Sequence, residues 1–248
     1  MNYRMVACLC AFALLRWLPI AFAQEPEKAL VGYWPFEEAA GLNLKDASGG
    51  GHDGLIMNES HGVRRVPGRS GGALEFDGGD TTVRGQSGAA VLPGMGEMPW
   101  RQGLTVALWL KLNKLDRPAT YELLSNSKDD RGPGFRFMIG WLSLWLRSGE
   151  GGNGKTWGAG TESANWQLRT DQWYHLAATY DAERFRVYID GALAAESEPL
   201  PLTDGESNLY LGSYRGGYAY GLHGVIDEVR LYNYARSPAE IMLDARLL

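Results

Sequence analysis

Apolar and polar residues alternate in short runs along the chain, with Gly, Asp or Asn between the runs. The segments Ala29–Phe36, Ala73–Phe76, Leu104–Leu112, Tyr121–Ser125 and Phe135–Ile139 carry this pattern in β-branched and aromatic residues. So do Leu142–Arg147, Trp173–Tyr180, Arg184–Ile189, Ser207–Leu211 and Gly224–Tyr232. Period-two alternation over so few residues predicts strands with one face on a core. Many short strands with almost no helix predict an all-β fold, a two-sheet antiparallel sandwich. Two hairpins are marked locally. Tyr180-Asp181-Ala182-Glu183-Arg184 links one pair of runs, and Asp190-Gly191 suits a type I′ turn, which needs positive φ at both central positions. The one predicted helix is the last element: Ser237, Pro238 and Glu240 supply an N-cap, a first-turn proline and a capping-box acid before Ile241 and Met242.

The first residues follow a different pattern. Arg4, the apolar run Met5–Leu15 and the Ala21-Phe22-Ala23 end before Gln24 predict a secretory signal peptide over residues 1–23, cleaved after Ala23. The run is short for a membrane span, and no later stretch approaches ~18 continuous apolar residues. Gln24–Lys28 is a short polar lead-in, and one domain is expected over residues 29–248, since no internal repeat or Pro/Ser-rich linker interrupts it. The only cysteines, Cys8 and Cys10, fall inside the leader. The exported domain is therefore expected to hold no disulfide and to rely on its core.

Composition sharpens this picture in two respects. The chain has 33 Gly in 248 residues, well above the ~7% of ordinary usage, so the connections are rich in turns. The formal charge is −5, and more negative once Arg4 and Arg16 leave with the leader, which argues against nucleic acid and anionic membrane as partners.

Specific residues carry a family pattern. Trp173-Tyr174-His175-Leu176-Ala177-Ala178-Thr179-Tyr180-Asp181 followed by Val187-Tyr188-Ile189-Asp190-Gly191 resembles the LamG-like jelly-roll family. Tyr33-Trp34-Pro35-Phe36-Glu37-Glu38 with Asp46-Ala47-Ser48-Gly49, Ala73–Gly78 and Gly224–Asn233 agree in order and spacing, so the resemblance spans nearly the whole predicted domain. It implies a fold like that of concanavalin A-like lectins and glucanases, two antiparallel sheets of which one is concave, and a secreted binding module. The stretch His175–Tyr180 also resembles the pentraxin signature. Ala177 stands where that family has Cys and Tyr180 where it has Trp, so neither its disulfide nor its calcium sites are implied.

A glucanase on such a fold needs carboxylates projecting from one face toward one glycosidic bond, ~5 to 5.5 Å apart in a retaining enzyme. Asp227 and Glu228 are adjacent, so a regular strand sends them to opposite faces, and Val225 occupies the upstream position. Glu75 and Asp77 have the right period, but Gly78-Gly79 marks a turn beside them. The four histidines lie outside any nucleophile motif, and His175 reads as a buried strand residue bonded to backbone. A non-catalytic module recognising a glycan or an extracellular or envelope protein is thus expected, with a glycan hydrolase or polysaccharide lyase on the same fold as the rival.

Two further sites are candidates. The resemblance implies a structural calcium ion shared by Asp46 and Asp227, with carbonyls of 50–53 added; otherwise Asp46 closes an Asx-turn and Asp227 pairs with an Arg such as Arg230. Zinc lacks Cys ligands and a suitable His spacing. Sugar recognition favours aromatic faces with planar polar groups. The two Gly-rich loops offer Trp157 and Trp166, and Tyr214, Arg215, Tyr218 and Tyr220, or else these are structural aromatics. Trp34, Trp109 and Trp173 read as packing residues. Trp141, Ser143 and Trp145 share one strand face and form a platform if that face is concave, or fill the core if it is not.

Overall fold

A computed structural model describes residues 29–57, 62–78, 85–115, 120–161 and 168–247. The predicted leader and Trp166 lie outside them. Sixteen strands follow in chain order: β1 Leu30–Trp34, β2 Asn43–Leu44, β3 Gly54–Met57, β4 Val63–Pro67, β5 Gly72–Asp77, β6 Ala89–Leu92, β7 Leu104–Leu112 and β8 Thr120–Ser125. After them come β9 Arg136–Gly140, β10 Ser143–Gly149, β11 Thr156–Gly160, β12 Trp173–Tyr180, β13 Phe185–Ile189, β14 Ala192–Glu196, β15 Leu209–Leu211 and β16 His223–Tyr232, with helix α1 at Pro238–Leu247.

They form two antiparallel sheets. The first runs β14-β13-β12-β7-β16-β5-β4, with β1 also paired to β16, and the second runs β11-β10-β9-β8-β15-β6-β3-β2. Alternation decides what lies between them. Leu104, Val106, Leu108, Leu110 and Leu112 of β7 and Leu176, Ala178 and Tyr180 of β12 face Phe137, Ile139, Leu144 and Leu146 of β9 and β10 in one core. This is the predicted sandwich with its terminal helix.

The outer face of the first sheet is covered. Ile241 of α1 packs on Ala107, Ala177 and Tyr188, and Thr105 Oγ1 donates to the Tyr234 carbonyl while accepting the Arg236 N–H. The helix comes so close to the β13–β14 turn that a Cβ on Gly191 would lie 2.8 Å from Met242 Cα, and Gly191 itself has φ of +80°. Asp190 has φ of 49°, so the I′ turn forms as expected. Ser237 and Glu240 close a reciprocal capping box, with Glu240 Oε2 accepting the Ser237 N–H at 2.7 Å. Ser237→Ala should lower stability by about 1 kcal/mol, read as a shifted urea midpoint at constant slope. An unchanged midpoint would mean that α1 adds nothing to the cooperative unit.

Three departures from the sequence reading have local causes. Six strands were not predicted, β2, β3, β4, β6, β11 and β14, each too short or too glycine- and charge-rich to alternate visibly. The glycine stretch 149–160, read as a loop, ends in edge strand β11. There Gly160 is needed because the Trp145 indole of β10 lies over it, 2.3 Å from where a Cβ would be. Strand β16 is not regular at Asp227-Glu228. Its register shifts between Asp227 and Arg230, Glu228 adopts φ of 56°, and both carboxylates are buried.

Candidate functional site

With the first sheet covered by α1, the open face is the outer one of the second sheet. Thr120 and Glu122 of β8, Arg136, Met138 and Gly140 of β9, and Ser143, Trp145 and Arg147 of β10 point there, because their strand neighbours point into the core. Except for Glu122, these residues line a cavity of about 440 Å³, closed at its ends by Trp141 and by Asp130, Arg131 and Tyr220.

Its floor is a buried ion pair. Glu122 is fully buried and Arg136 nearly so, and the Arg136 Nε donates to both Glu122 oxygens at 3.1 Å. Burial works against the guanidinium's charge, but attraction and hydrogen bonding from Glu122, helped by Asp130, outweigh it and raise its pKa. Arg136 also donates to the Asp130 carbonyl at 3.2 Å and lies 4.9 Å from the ring centres of both Tyr214 and Tyr220. The Tyr220 hydroxyl donates to Asp130 Oδ2 at 3.1 Å, and burial together with Asp130 raises its pKa.

The aromatic wall comes from the β9–β10 hairpin. Trp141 and Leu142 form its two-residue turn with φ of 54° and 64°, a conformation bulky side chains rarely adopt. Trp141 is nevertheless 73% exposed. Trp145 follows on the same face, half-buried and laid over Gly160. Both tryptophans therefore face outward instead of filling the core.

The loop residues expected to bind divide sharply. Tyr220 lines the cavity, while Tyr214 is buried behind it, with ring centres 5.9 Å apart, so this loop supports the site through Arg136. The Glu122 N–H donates to the Tyr220 carbonyl at 2.9 Å, fixing the loop to β8. Tyr218 packs edge-on to Tyr214 at 6.2 Å, and Arg215 pairs with Glu206 at 3.3 Å, both outside the cavity lining. Trp157 lies in β11, not in a loop. It packs against the core and donates to the Pro201 carbonyl, with an edge on a smaller cavity of about 140 Å³ shared with Trp145, Arg147 and Thr156.

Asp46 and Asp227 serve main-chain donors of different loops. Asp46 accepts the N–H groups of Tyr33, Ser48 and His52, which hold its carboxyl low although burial acts the other way. Asp227 Oδ2 accepts those of Arg69 and Ser70, and burial, with Glu228 adding, pushes its carboxyl up to about 6. It is Glu228, not Asp227, that pairs with Arg230. The two aspartates share no partner, and among the described residues no three His, Cys, Asp or Glu side chains gather to hold a metal. Three of the four carboxylate oxygens are taken by main-chain N–H groups, while Asp227 Oδ1 is buried without a hydrogen-bond partner.

His175 is buried edge-on to Trp109 at 5.4 Å, and neither ring nitrogen reaches a protein partner, so the expected backbone bond is absent. Glu75 is tied to Arg64 and Asn113.

A family comparison agrees with this architecture. The model of the concanavalin A-like lectin/glucanases superfamily matches residues 84–242, more than half of the chain. The chain belongs to this superfamily. Among solved structures, domain 4 of AbnA, a GH43 extracellular arabinanase from Geobacillus stearothermophilus, in complex with arabinotriose, is similar to this lectin/glucanase-type chain. It is 24% identical, with a TM-score of 0.61 over 89% of this chain and 100% of that one. The binding domain of botulinum neurotoxin DC in complex with rat synaptotagmin II is 12% identical, at TM-score 0.66 over 88% of this chain and 51% of that one. A sialidase of Trypanosoma rangeli is 19% identical, at TM-score 0.59 over 86% of this chain and 32% of that one. At these identities the solved structures support the fold of the superfamily alone. No curated protein matches the chain. Among the described residues no helix is long and apolar enough to cross a membrane, which says nothing of β-barrels.

Proposed function

We propose that this chain is an exported, non-catalytic carbohydrate-binding module whose ligand lies on the outer face of the second sheet, across Trp145, Trp141 and Tyr220. The observation that carries this reading is Trp141, an indole 73% exposed on a turn whose backbone disfavours it, at the mouth of a cavity lined by a second indole and a phenol. Solvent gives no reason to hold a large apolar ring in such a place, whereas sugar rings stack on aromatic faces. The nearby Ser143, Thr120 and Arg131 supply donors and acceptors for hydroxyl groups. A bound arabinotriose in the AbnA domain supports a glycan ligand on this kind of fold.

The binding reading is favoured over the hydrolase by the carboxylates present. Glu122 is fully buried beneath Arg136 and does not line the cavity, and Asp130 is the one carboxylate among the described residues that line it, whereas a glycosidase needs two flanking the scissile bond.

Native gels containing each member of a polysaccharide panel test this, alongside a reducing-sugar assay. Retardation by at least one glycan is expected, weakened about tenfold or more in Trp145→Ala and in Trp141→Ala, with no sugar released. Retardation unaffected by both substitutions would place the ligand elsewhere, and release of product would make the protein an enzyme.

A further inference from the structure

We infer that the glycan bound on this face is acidic, a sugar chain bearing carboxylate or sulfate groups, and that Arg147 beside Trp145 is the residue that reads the charge. The inference rests on the carbohydrate-binding reading above.

The charges around the cavity do not balance on Arg147. Arg136 satisfies Glu122, and its Nη1 lies 3.6 Å from Asp130 Oδ1. Asp130 is further engaged by Tyr220. Asp129, behind the rim, takes the main-chain N–H groups of Arg131 and Gly152. Arg147 is left half-buried with its Nη2 on a neutral acceptor, the Asp130 carbonyl at 3.2 Å, and no carboxylate lies within ion-pairing distance of it among the described residues.

Its surroundings press against its charge. Arg147 stands opposite Arg136 in the β9–β10 register, and burial first, then the Arg136 charge, lower its pKa, outweighing a weaker attraction from Glu122 and Asp130. A desolvated cation beside a second cation is unfavourable unless an anion completes it, and the guanidinium fork matches a carboxylate or sulfate. In a chain of net charge −5, that is a local exception that stability alone does not explain.

Position completes the case. Arg147 and Trp145 both line the larger cavity and the smaller one toward Thr156 and Trp157. The two cavities meet at this pair, so a ring stacked on Trp145 carries its substituents past the guanidinium whichever way the chain runs. Beyond them β11 presents Gly158, Gly160 and the small Thr156 toward this face, with an edge of Trp157 on the smaller cavity.

Matched polysaccharide pairs decide the matter, titrated against the full chain by calorimetry at low and at physiological salt: methyl-esterified pectin with polygalacturonate, cellulose with carboxymethylcellulose, dextran with dextran sulfate. The charged member of at least one pair should bind on the order of tenfold more tightly than its neutral partner, by an advantage that shrinks with salt. Polygalacturonate against dextran sulfate tells carboxylate from sulfate. Arg147→Gln should bring the pair to equal affinity, while Trp145→Ala weakens both members. Equal affinities in the unaltered protein, or a charge preference that survives Arg147→Gln, would overturn the inference and leave carbohydrate binding standing. Silence across every pair and across the wider panel would bring down both.

Discussion

Replacing Glu122 by Ala should lower the stability of the fold by about 3 to 5 kcal/mol, the largest single effect expected outside the apolar core. The substitution removes the acceptor of the Arg136 Nε and leaves a guanidinium that is 4% exposed with Asp130 and two phenol rings around it and the Arg147 cation opposite. Arg136→Met should cost a similar amount, because the Glu122 carboxylate is then fully buried without its cation. The double variant Glu122→Leu, Arg136→Met should recover most of that loss, since a buried pair exchanged for apolar residues of similar volume is often close to neutral. Urea unfolding of the unaltered protein, Glu122→Leu, Arg136→Met and the double variant gives the coupling energy directly. If the two single losses simply add, Glu122 and Arg136 do not act as a pair. The double variant carries a second consequence. Arg136 is the cation between the rings of Tyr214 and Tyr220 and the neighbour that destabilises the charge on Arg147, so recovered stability should come with weakened glycan binding.

The sequence showed the sandwich plainly and the site only in outline, for reasons that differ residue by residue. The long runs in β7 and β12 alternate over eight or nine residues, and that period survives any detail of packing, while β16 keeps it only on either side of the break at Asp227-Glu228. The covering of one sheet by α1 does not show in period two, because Ala107, Ala177 and Tyr188 face outward on strands that are apolar on both sides. Glu122 and Arg136 are each a charge inside an apolar strand run, Tyr-Glu-Leu-Leu and Phe-Arg-Phe-Met, which period two alone does not single out. That was the available signal: lone opposite charges at mid-strand on adjacent strands call for each other. Trp141 and Trp145 were legible as sharing a face, but which way the face pointed depends on the sheet order. The aspartate pair was suggested by resemblance rather than by spacing, and each oxygen's partners are set by loops brought together only in the folded chain. The loop aromatics were read as binders because glycine surrounds them, whereas Tyr214 is drawn inward by the Arg136 guanidinium, a contact some eighty residues away in sequence.

Stability between pH 4 and pH 6.5 should be nearly flat with respect to two buried groups, because His175 and Asp227 pull in opposite directions. Burial pushes the His175 imidazole from 6.5 down to about 4, with the charges of Arg230 and Arg236 adding to it. Its folded pKa is depressed, so the unfolded chain binds the proton first, and stability is lost as pH falls from about 6.5 toward about 4. Asp227 is raised from 3.8 to about 6, chiefly by burial, against the Ser70 and Arg69 N–H groups that favour its charge. Here the folded chain binds the proton first, so stability is gained over the same fall in pH. Each window is a little over two pKa units wide, which corresponds to on the order of 3 kcal/mol apiece. Single substitutions should therefore unmask each half. Asp227→Asn retains an acceptor for the two main-chain N–H groups and removes the compensating gain. Its stability should drop by about 3 kcal/mol relative to the unaltered protein between pH 6.5 and pH 4. His175→Phe keeps an aromatic edge against Trp109 and removes the loss, so its relative stability should rise by a similar amount over that interval. Carboxylates held low by hydrogen bonds, such as Asp46 and Asp181, titrate in all three proteins and drop out of the differences. Urea midpoints at steps of pH provide the measurement. Parallel curves for all three proteins would mean that neither group is held in the protonation state its burial implies, and that water reaches both in the folded chain.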